Sequence, residues 1–138
     1  GVYCYFGSCG LIAYDFDGKV LWEKRLPMAK TFRDFGTGTS PILFGDKIIL
    51  DMHLDGDSHL LAVQTKDGKT AWTAPKPQFN GGWASPVVWK EGEEEMIGML
   101  NASRFTAYDL KTGTERWWIN GLPNQICATP VVSDGCCF

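Results

Sequence analysis

The densest group of metal-ligating side chains lies between residues 53 and 59, where two imidazoles and two carboxylates fall within seven positions. Such groups are common ligands of divalent cations in proteins. Their order does not match the calcium loop of an EF-hand, and Asp-Gly-Asp is ordinary in tight hairpin turns. We therefore assign no metal ion to the chain. The weak candidates for ligands are His53, Asp55, Asp57 and His59.

The cysteines and serines offer no recognisable nucleophilic site. The five cysteines match no zinc-ligand spacing, and the chain contains no Gly-x-Ser-x-Gly segment. No glycine-rich phosphate loop precedes a helical pattern. We therefore predict no catalytic residues.

The composition excludes two further classes of partner. The net charge is −3, and the 13 lysines and arginines form no basic stripe, so we expect no nucleic acid. No apolar stretch approaches the roughly 20 residues that cross a bilayer, so we expect no membrane insertion. Aromatic residues at 13% together with 16 glycines are typical of short strands joined by tight turns.

A turn glycine followed four residues later by a tryptophan occurs three times, and this internal repeat predicts the fold. The glycines lie 50 and then 45 residues apart. A second marker, Ser/Thr-Pro, recurs out of phase at intervals of 45 and 44 residues. Two independent markers with one shared period indicate a repeat architecture. The first marker spans residues 13–22, 62–72 and 107–117, and the second begins at Ser40, Ser85 and Thr129.

Each repeat decodes into four short strands with almost no helix, including strands at Lys47–Met52 and at residues 96–100. These strands are apolar on both faces, which suits sheets stacked between two others. The recurring tryptophan would fill the gap between neighbouring sheets. The prediction is an all-β chain of about three β-propeller blades, each a four-stranded antiparallel sheet. The units are a partial blade at 1–26, blades at 39–74 and 84–120, and the start of another at 127–138.

The third copy, Ala107-x-Asp109-x-x-Thr112-Gly113-x-x-x-Trp117, resembles the repeat of the pyrroloquinoline-quinone-like (PQQ-like) propeller family. The resemblance covers essentially the whole chain, and the departure at Gln64 is minor for the fold. Within this family, the sequence most resembles exported bacterial members of no known activity and the propeller lipoprotein of outer-membrane barrel assembly. The family implies a ring commonly of eight blades. Because about three are present, we expect a fragment of a larger propeller, or a ring closed by self-association.

The resemblance also implies function. Most single-motif members do not bind the quinone, so we expect a non-catalytic scaffold or protein-binding surface, periplasmic or extracellular in bacteria, with no cofactor. The alternative is part of a quinone-dependent alcohol or sugar dehydrogenase. Those enzymes place an adjacent-cysteine disulfide against the quinone. Here Cys136 and Cys137 fall inside a predicted strand, where neighbours point to opposite faces. We therefore expect buried free thiols instead.

One end of a propeller collects the loops that usually carry binding. The polar and aromatic side chains of these loops are the candidate ligand-binding residues. A tryptophan beside amides would suit a carbohydrate or peptide, which is the third functional hypothesis. The candidates are Arg33, Asp34, Asn80, Trp83, Arg104, Asn124 and Gln125.

Overall fold

The computed structural model describes residues 1–7, 9–28, 30–76, 82–124 and 126–138. Within these ranges the chain is all-β, as predicted, with one short 3-10 turn at Phe32–Asp34. The strands are β1 (Val2–Phe6), β2 (Gly10–Tyr14), β3 (Val20–Arg25), β4 (Ile42–Phe44), β5 (Lys47–Met52), β6 (His59–Gln64), β7 (Thr70–Pro75), β8 (Val87–Glu91), β9 (Glu94–Asn101), β10 (Arg104–Asp109), β11 (Glu115–Asn120), β12 (Val132–Ser133) and β13 (Cys136–Cys137).

The strands form four antiparallel sheets in which neighbours in sequence are neighbours in space. The first sheet is β1-β2-β3, the second β4-β5-β6-β7, the third β8-β9-β10-β11 and the fourth β12-β13. Two sheets therefore have the predicted four strands. The strand predicted at Lys47–Met52 is confirmed as β5, and the one predicted at 96–100 is confirmed inside the longer β9.

The apolar core lies between the sheets, because strand residues alternate between two buried faces. In β5, Ile48 and Leu50 belong to a cluster shared with Leu11 of the first sheet. Ile49, between them in sequence, belongs to a cluster shared with Ile97 of the third sheet. All three β5 side chains are fully buried. The expected burial on both faces is thus confirmed for the second sheet.

The recurring tryptophan of one sheet lies against the turn glycine of the next. The Trp22 indole N–H donates to the Thr65 carbonyl at 2.8 Å, and a Cβ at Gly68 would come within 2.6 Å of the Trp22 ring. In the next sheet the Trp72 indole donates to the Leu110 carbonyl at 3.1 Å. A Cβ at Gly113 would lie 2.7 Å from the Trp72 ring. Glycine therefore provides both the turn conformation and the space for the indole.

The Ser/Thr-Pro marker joins the sheets through hydroxyl groups at their first strands. The Ser40 backbone N–H donates to the Ser85 hydroxyl oxygen at 2.8 Å. The Ser85 N–H in turn donates to the Thr129 hydroxyl oxygen at 3.2 Å. Each Ser/Thr-Pro marker thus contacts its equivalent in the following repeat. The tryptophan of each repeat likewise contacts the turn of the following repeat, so both markers recur with the period of the sheets.

The expectation of buried thiols at Cys136 and Cys137 is wrong, since both are exposed. They form β13, which pairs with Val132 and Ser133 of β12. No further strand pairs with β13 among the described residues, so one edge of this two-stranded sheet has no neighbouring strand. The side chains consequently face solvent.

Candidate functional site

The loops at one end of the sheets pack against one another and form a continuous surface, called the loop face here. It comprises segments 30–41, 53–58, 82–86 and 101–103, and a fifth made of residues 121–124 and 126–130. The Asp55 N–H donates to the Lys30 carbonyl at 2.8 Å, which joins the first two segments. The Trp83 N–H donates to the Ile126 carbonyl at 3.1 Å, which joins the third and fifth. Loops from successive sheets are therefore held in a fixed relation.

A turn at Phe32–Asp34 presents the first pair of predicted site residues. Arg33 and Asp34 both adopt the left-handed backbone conformation, with φ of 54° and 58°. Such conformations cost non-glycine residues on the order of 1–3 kcal/mol each and are enriched at functional sites. The Thr31 hydroxyl accepts from the Gly36 N–H at 2.8 Å and holds the turn closed. Arg33 and Asp34 are consequently exposed on a preformed turn.

Trp83 lies beside this turn but is half-buried. Its indole N–H donates to the Gly36 carbonyl at 3.3 Å, and a Cβ at Gly38 would lie 2.9 Å from its side chain. The aromatic residue that reaches solvent is instead Phe35, which is 64% exposed and packs 6.2 Å from Trp83 between ring centroids. Sequence reasoning missed Phe35. Its one signal was an aromatic residue in a polar, glycine-containing loop.

The remaining predicted residues are placed differently. The Asn124 side-chain oxygen pairs with the Ser103 hydroxyl on the loop face. Arg104 turns away along the sheet, where it donates to the Thr106 hydroxyl at 2.9 Å and to Glu115 at 2.6 Å. Its side chain is only 12% exposed. Arg33, Asp34, Trp83 and Asn124 thus lie on the loop face, whereas the Arg104 side chain does not. Asn80 and Gln125 lie outside the described residues.

The weak metal candidates do not converge. His59 contacts the Asp57 carbonyl through its Nδ1 atom at 2.9 Å. The ring of His53 points elsewhere and lies 3.6 Å from the position a Cβ would take at Gly82. In the part of the chain that the structure describes, no three His, Cys, Asp or Glu side chains are grouped to hold an ion.

A buried ion pair lies in the second sheet, near the loop face. The Lys76 ammonium donates to the Asp51 carboxylate, and neither side chain is more than 1% exposed. The backbone N–H of Lys76 donates to the Ser58 carbonyl at 2.9 Å, which fixes the lysine at the end of β7. A buried pair of this kind must remain intact, because either charge alone would be strongly destabilising.

The two tyrosines with shifted pKa values are not acid–base groups at neutral pH. Burial raises the pKa of Tyr108 to about 12, and the negative charge of Glu115 adds to the shift. Burial also raises the pKa of Tyr5, and the negative charge of Asp51 acts in the same direction. Both phenols therefore keep their protons, and their position between sheets gives them a packing role.

Stacked four-stranded antiparallel sheets, repeated with a 45-residue period and joined through tryptophan–glycine contacts, define a β-propeller of the PQQ-like repeat class. A family model described as outer membrane protein assembly factor BamB matches residues 2–121. The chain belongs to this family. A comparison with curated protein sequences found no match.

Two solved structures are similar to this chain. The crystal structure of BamB from Moraxella catarrhalis is 24% identical, with a TM-score of 0.65 over 93% of this chain. A europium-containing methanol dehydrogenase is 18% identical, with a TM-score of 0.58 over 86% of this chain. The matched regions make up 39% and 22% of those chains, so this chain spans well under half of either. At these identities the likeness establishes the fold.

The adjacent cysteines do not form the disulfide that quinone-dependent members of the wider class place against their cofactor. Cys136 and Cys137 are free thiols in β13, and their partners in β12 hold them on opposite faces of the strand. An eight-membered disulfide ring would need both sulfur atoms on one side and would break this pairing. No helix in the described ranges is long and apolar enough to cross a membrane.

Proposed function

We propose that this chain is part of a non-catalytic propeller scaffold that binds a protein partner in the bacterial envelope. The observation that carries the proposal is the exposed Phe35, held in place on the loop face of a chain in the BamB family. That family is named for outer membrane protein assembly, which supports an envelope location and a partner from the assembly machinery.

The geometry around Phe35 favours a protein partner. Phe32 packs edge-on against Phe35 with 6.4 Å between ring centroids, and Trp83 supports it from the next loop. The guanidinium of Arg33 lies 5.1 Å from the centre of the Phe32 ring. A rigid aromatic side chain beside an exposed arginine is the composition of interface hot spots. Because the turn is preformed, little ordering entropy would oppose binding.

The test is a binding titration between this chain and the detergent-solubilised outer-membrane barrel-assembly complex of a bacterium that contains BamB. We expect Phe35→Ser to weaken binding by roughly 30-fold, the loss typical of a hot-spot aromatic. The matched control is Phe16→Ser, which removes a more exposed aromatic, at 87%, from a hairpin turn remote from the loop face. No binding by the unmodified chain, or equal losses in both variants, would reject the proposal.

A second candidate is part of a quinone-dependent dehydrogenase, which the likeness to methanol dehydrogenase favours. The cysteine pair argues against it. Adding the quinone, calcium, an alcohol and a redox dye to the chain tests this candidate directly. Dye reduction would establish the dehydrogenase and overturn the scaffold. The carbohydrate-binding hypothesis has less support, since Trp83 is half-buried, and a glycan array tests it.

A further inference from the structure

The outer strand of the third sheet, β11, is unusual among the edge strands of this chain. All six of its residues are exposed, and they include the consecutive apolar residues Trp117, Trp118 and Ile119 at 40%, 49% and 52%. Strand β11 pairs with β10 alone among the described strands. Every second residue of β11 therefore directs its backbone N–H and C=O groups away from the sheet.

The corresponding edges of the first two sheets carry the usual protection against strand pairing. Strand β3 ends in Glu23, Lys24 and Arg25, and β7 ends in Pro75. Charged residues and proline on an edge strand discourage the addition of another strand. The last three residues of β11 include no charged residue and no proline. The third sheet therefore lacks the edge protection that the first two sheets have.

A neighbouring sheet does not account for the exposure of Trp118. Trp118 pairs with Thr106, which shares its face with Tyr108, and Tyr108 packs into the core between the second and third sheets. Trp118 therefore points toward the side that the second sheet already occupies. Trp117 points to the opposite side and contacts Phe105 and Trp89. A further sheet on that opposite side would cover Trp117 and leave Trp118 in solvent.

Arg104 holds the Trp118 ring in a defined orientation. The guanidinium carbon lies 4.7 Å from the ring centre, and the group is itself fixed by Thr106 and Glu115. At the equivalent positions the second sheet has Thr73 and His59. This tryptophan–arginine pair is therefore an addition to the repeat, and it presents one flat aromatic face to solvent.

We propose that the edge of β11 binds an extended, uncharged segment of another protein, which adds to the third sheet as a fifth strand. The backbone groups of the segment pair with β11, and an apolar side chain opposite Trp118 packs on the indole. The charges flanking this surface are already neutralised within the chain. Arg104 pairs with Glu115, and Arg116 pairs with Glu94 through two contacts of 2.6 Å. An uncharged segment therefore matches the edge better than a charged one.

This surface lies on the outer rim of the sheet and is distinct from Phe35 on the loop face. The proposal thus goes beyond the scaffold function and can fail or succeed independently of it. If the inference about β11 is wrong, the chain would still bind an assembly complex through Phe35, and the edge of β11 would bind no peptide.

The experiment selects octapeptides from a displayed random library on this chain and measures the dissociation constant of the best uncharged peptide by fluorescence anisotropy. We expect Trp118→Thr, which installs the residue of the second sheet, to weaken binding at least ~10-fold. Phe16→Thr is the matched control and should leave the affinity unchanged. N-methylation of alternate peptide residues should abolish binding in one register and be tolerated in the other.

Amide hydrogen exchange of the unmodified chain provides a readout that does not depend on any variant. Bound peptide should slow exchange at the outward-facing amides of β11 and leave those of β3 and β7 unchanged. Failure to select any peptide that binds below 1 mM, an affinity insensitive to Trp118→Thr, or protection located elsewhere would each overturn the proposal.

Discussion

The contact between Trp72 and Gly113 makes a specific prediction for the substitution Gly113→Ala. Gly113 has a φ of +74°, and a Cβ there would lie 2.7 Å from the Trp72 ring and 3.1 Å from Ala74. Gly18 occupies the equivalent turn of the first sheet with a φ of +83°, and no atom lies within 4 Å of its would-be Cβ. The two glycines thus share a backbone conformation but differ in their neighbours, and Gly18→Ala is a matched control.

The expected magnitudes follow from these two contributions. A left-handed conformation costs an alanine roughly 1–2 kcal/mol relative to glycine, and this contribution applies to both variants. Forcing a methyl group into a filled contact costs about 1–3 kcal/mol more, and this applies to Gly113→Ala alone. We therefore expect Gly113→Ala to lower the free energy of unfolding by ~2–5 kcal/mol and Gly18→Ala by ~1–2 kcal/mol.

Urea unfolding followed by far-ultraviolet circular dichroism measures both values, with tryptophan fluorescence as a second probe of Trp72. The two probes should give coincident transitions if the stacked sheets unfold together. Equal losses in the two variants would refute the reasoning, because the indole contact would then contribute nothing beyond backbone strain.

Three further outcomes are expected. Lys76→Met should lower the free energy of unfolding, measured in urea, by about 3–5 kcal/mol, because it leaves the buried carboxylate of Asp51 unpaired. Adding Asp51→Leu should recover most of this loss. A loss below ~1 kcal/mol in Lys76→Met would contradict the pairing. The pKa of Asp109 is lowered because hydrogen bonds from Thr112 outweigh the opposing effect of burial. Its stabilising contribution should therefore be present above its ordinary pKa of 3.8 and disappear as the pH falls through the lower folded value, and Asp109→Asn should flatten the acid limb of stability against pH. The pKa of Tyr108 is raised to about 12, so its contribution should be complete below its ordinary value of 10.0 and lost as the pH rises toward 12, a loss that Tyr108→Phe should remove.

The sheets were predictable from the sequence because their signals recur. The spacing of the turn glycines and tryptophans predicted the repeat, and the apolar run in β5 predicted burial on both faces, which the structure confirms. The partners of the markers were not predictable. Periodicity shows that Ser40 and Ser85 are equivalent positions of two repeats. It does not show that these two residues meet in space, with the Ser85 hydroxyl accepting from the Ser40 N–H.

The candidate site was predicted less completely, because isolated loop residues have no period. Arg104 follows a loop in sequence, yet its long side chain runs back along the sheet to Glu115. Trp83 is half-buried because Gly36 accepts from its indole and Gly38 leaves room for it. Trp118 did carry a signal: it directly follows the repeat tryptophan, and strand alternation must direct the two rings to opposite faces.

The tryptophan and serine contacts that join the sheets link each repeat to the one that follows it in the chain, and this has a consequence for synthesis. The carbonyl that receives the Trp22 indole lies 43 residues later, and the hydroxyl that receives the Ser40 amide lies 45 residues later. At about 5–20 residues per second, a ribosome needs about 2–9 seconds to deliver either partner. During synthesis, each sheet therefore exposes one apolar face to water until the next sheet has emerged. The most recently synthesised sheet is always the one most accessible to chaperones, proteases and neighbouring nascent chains.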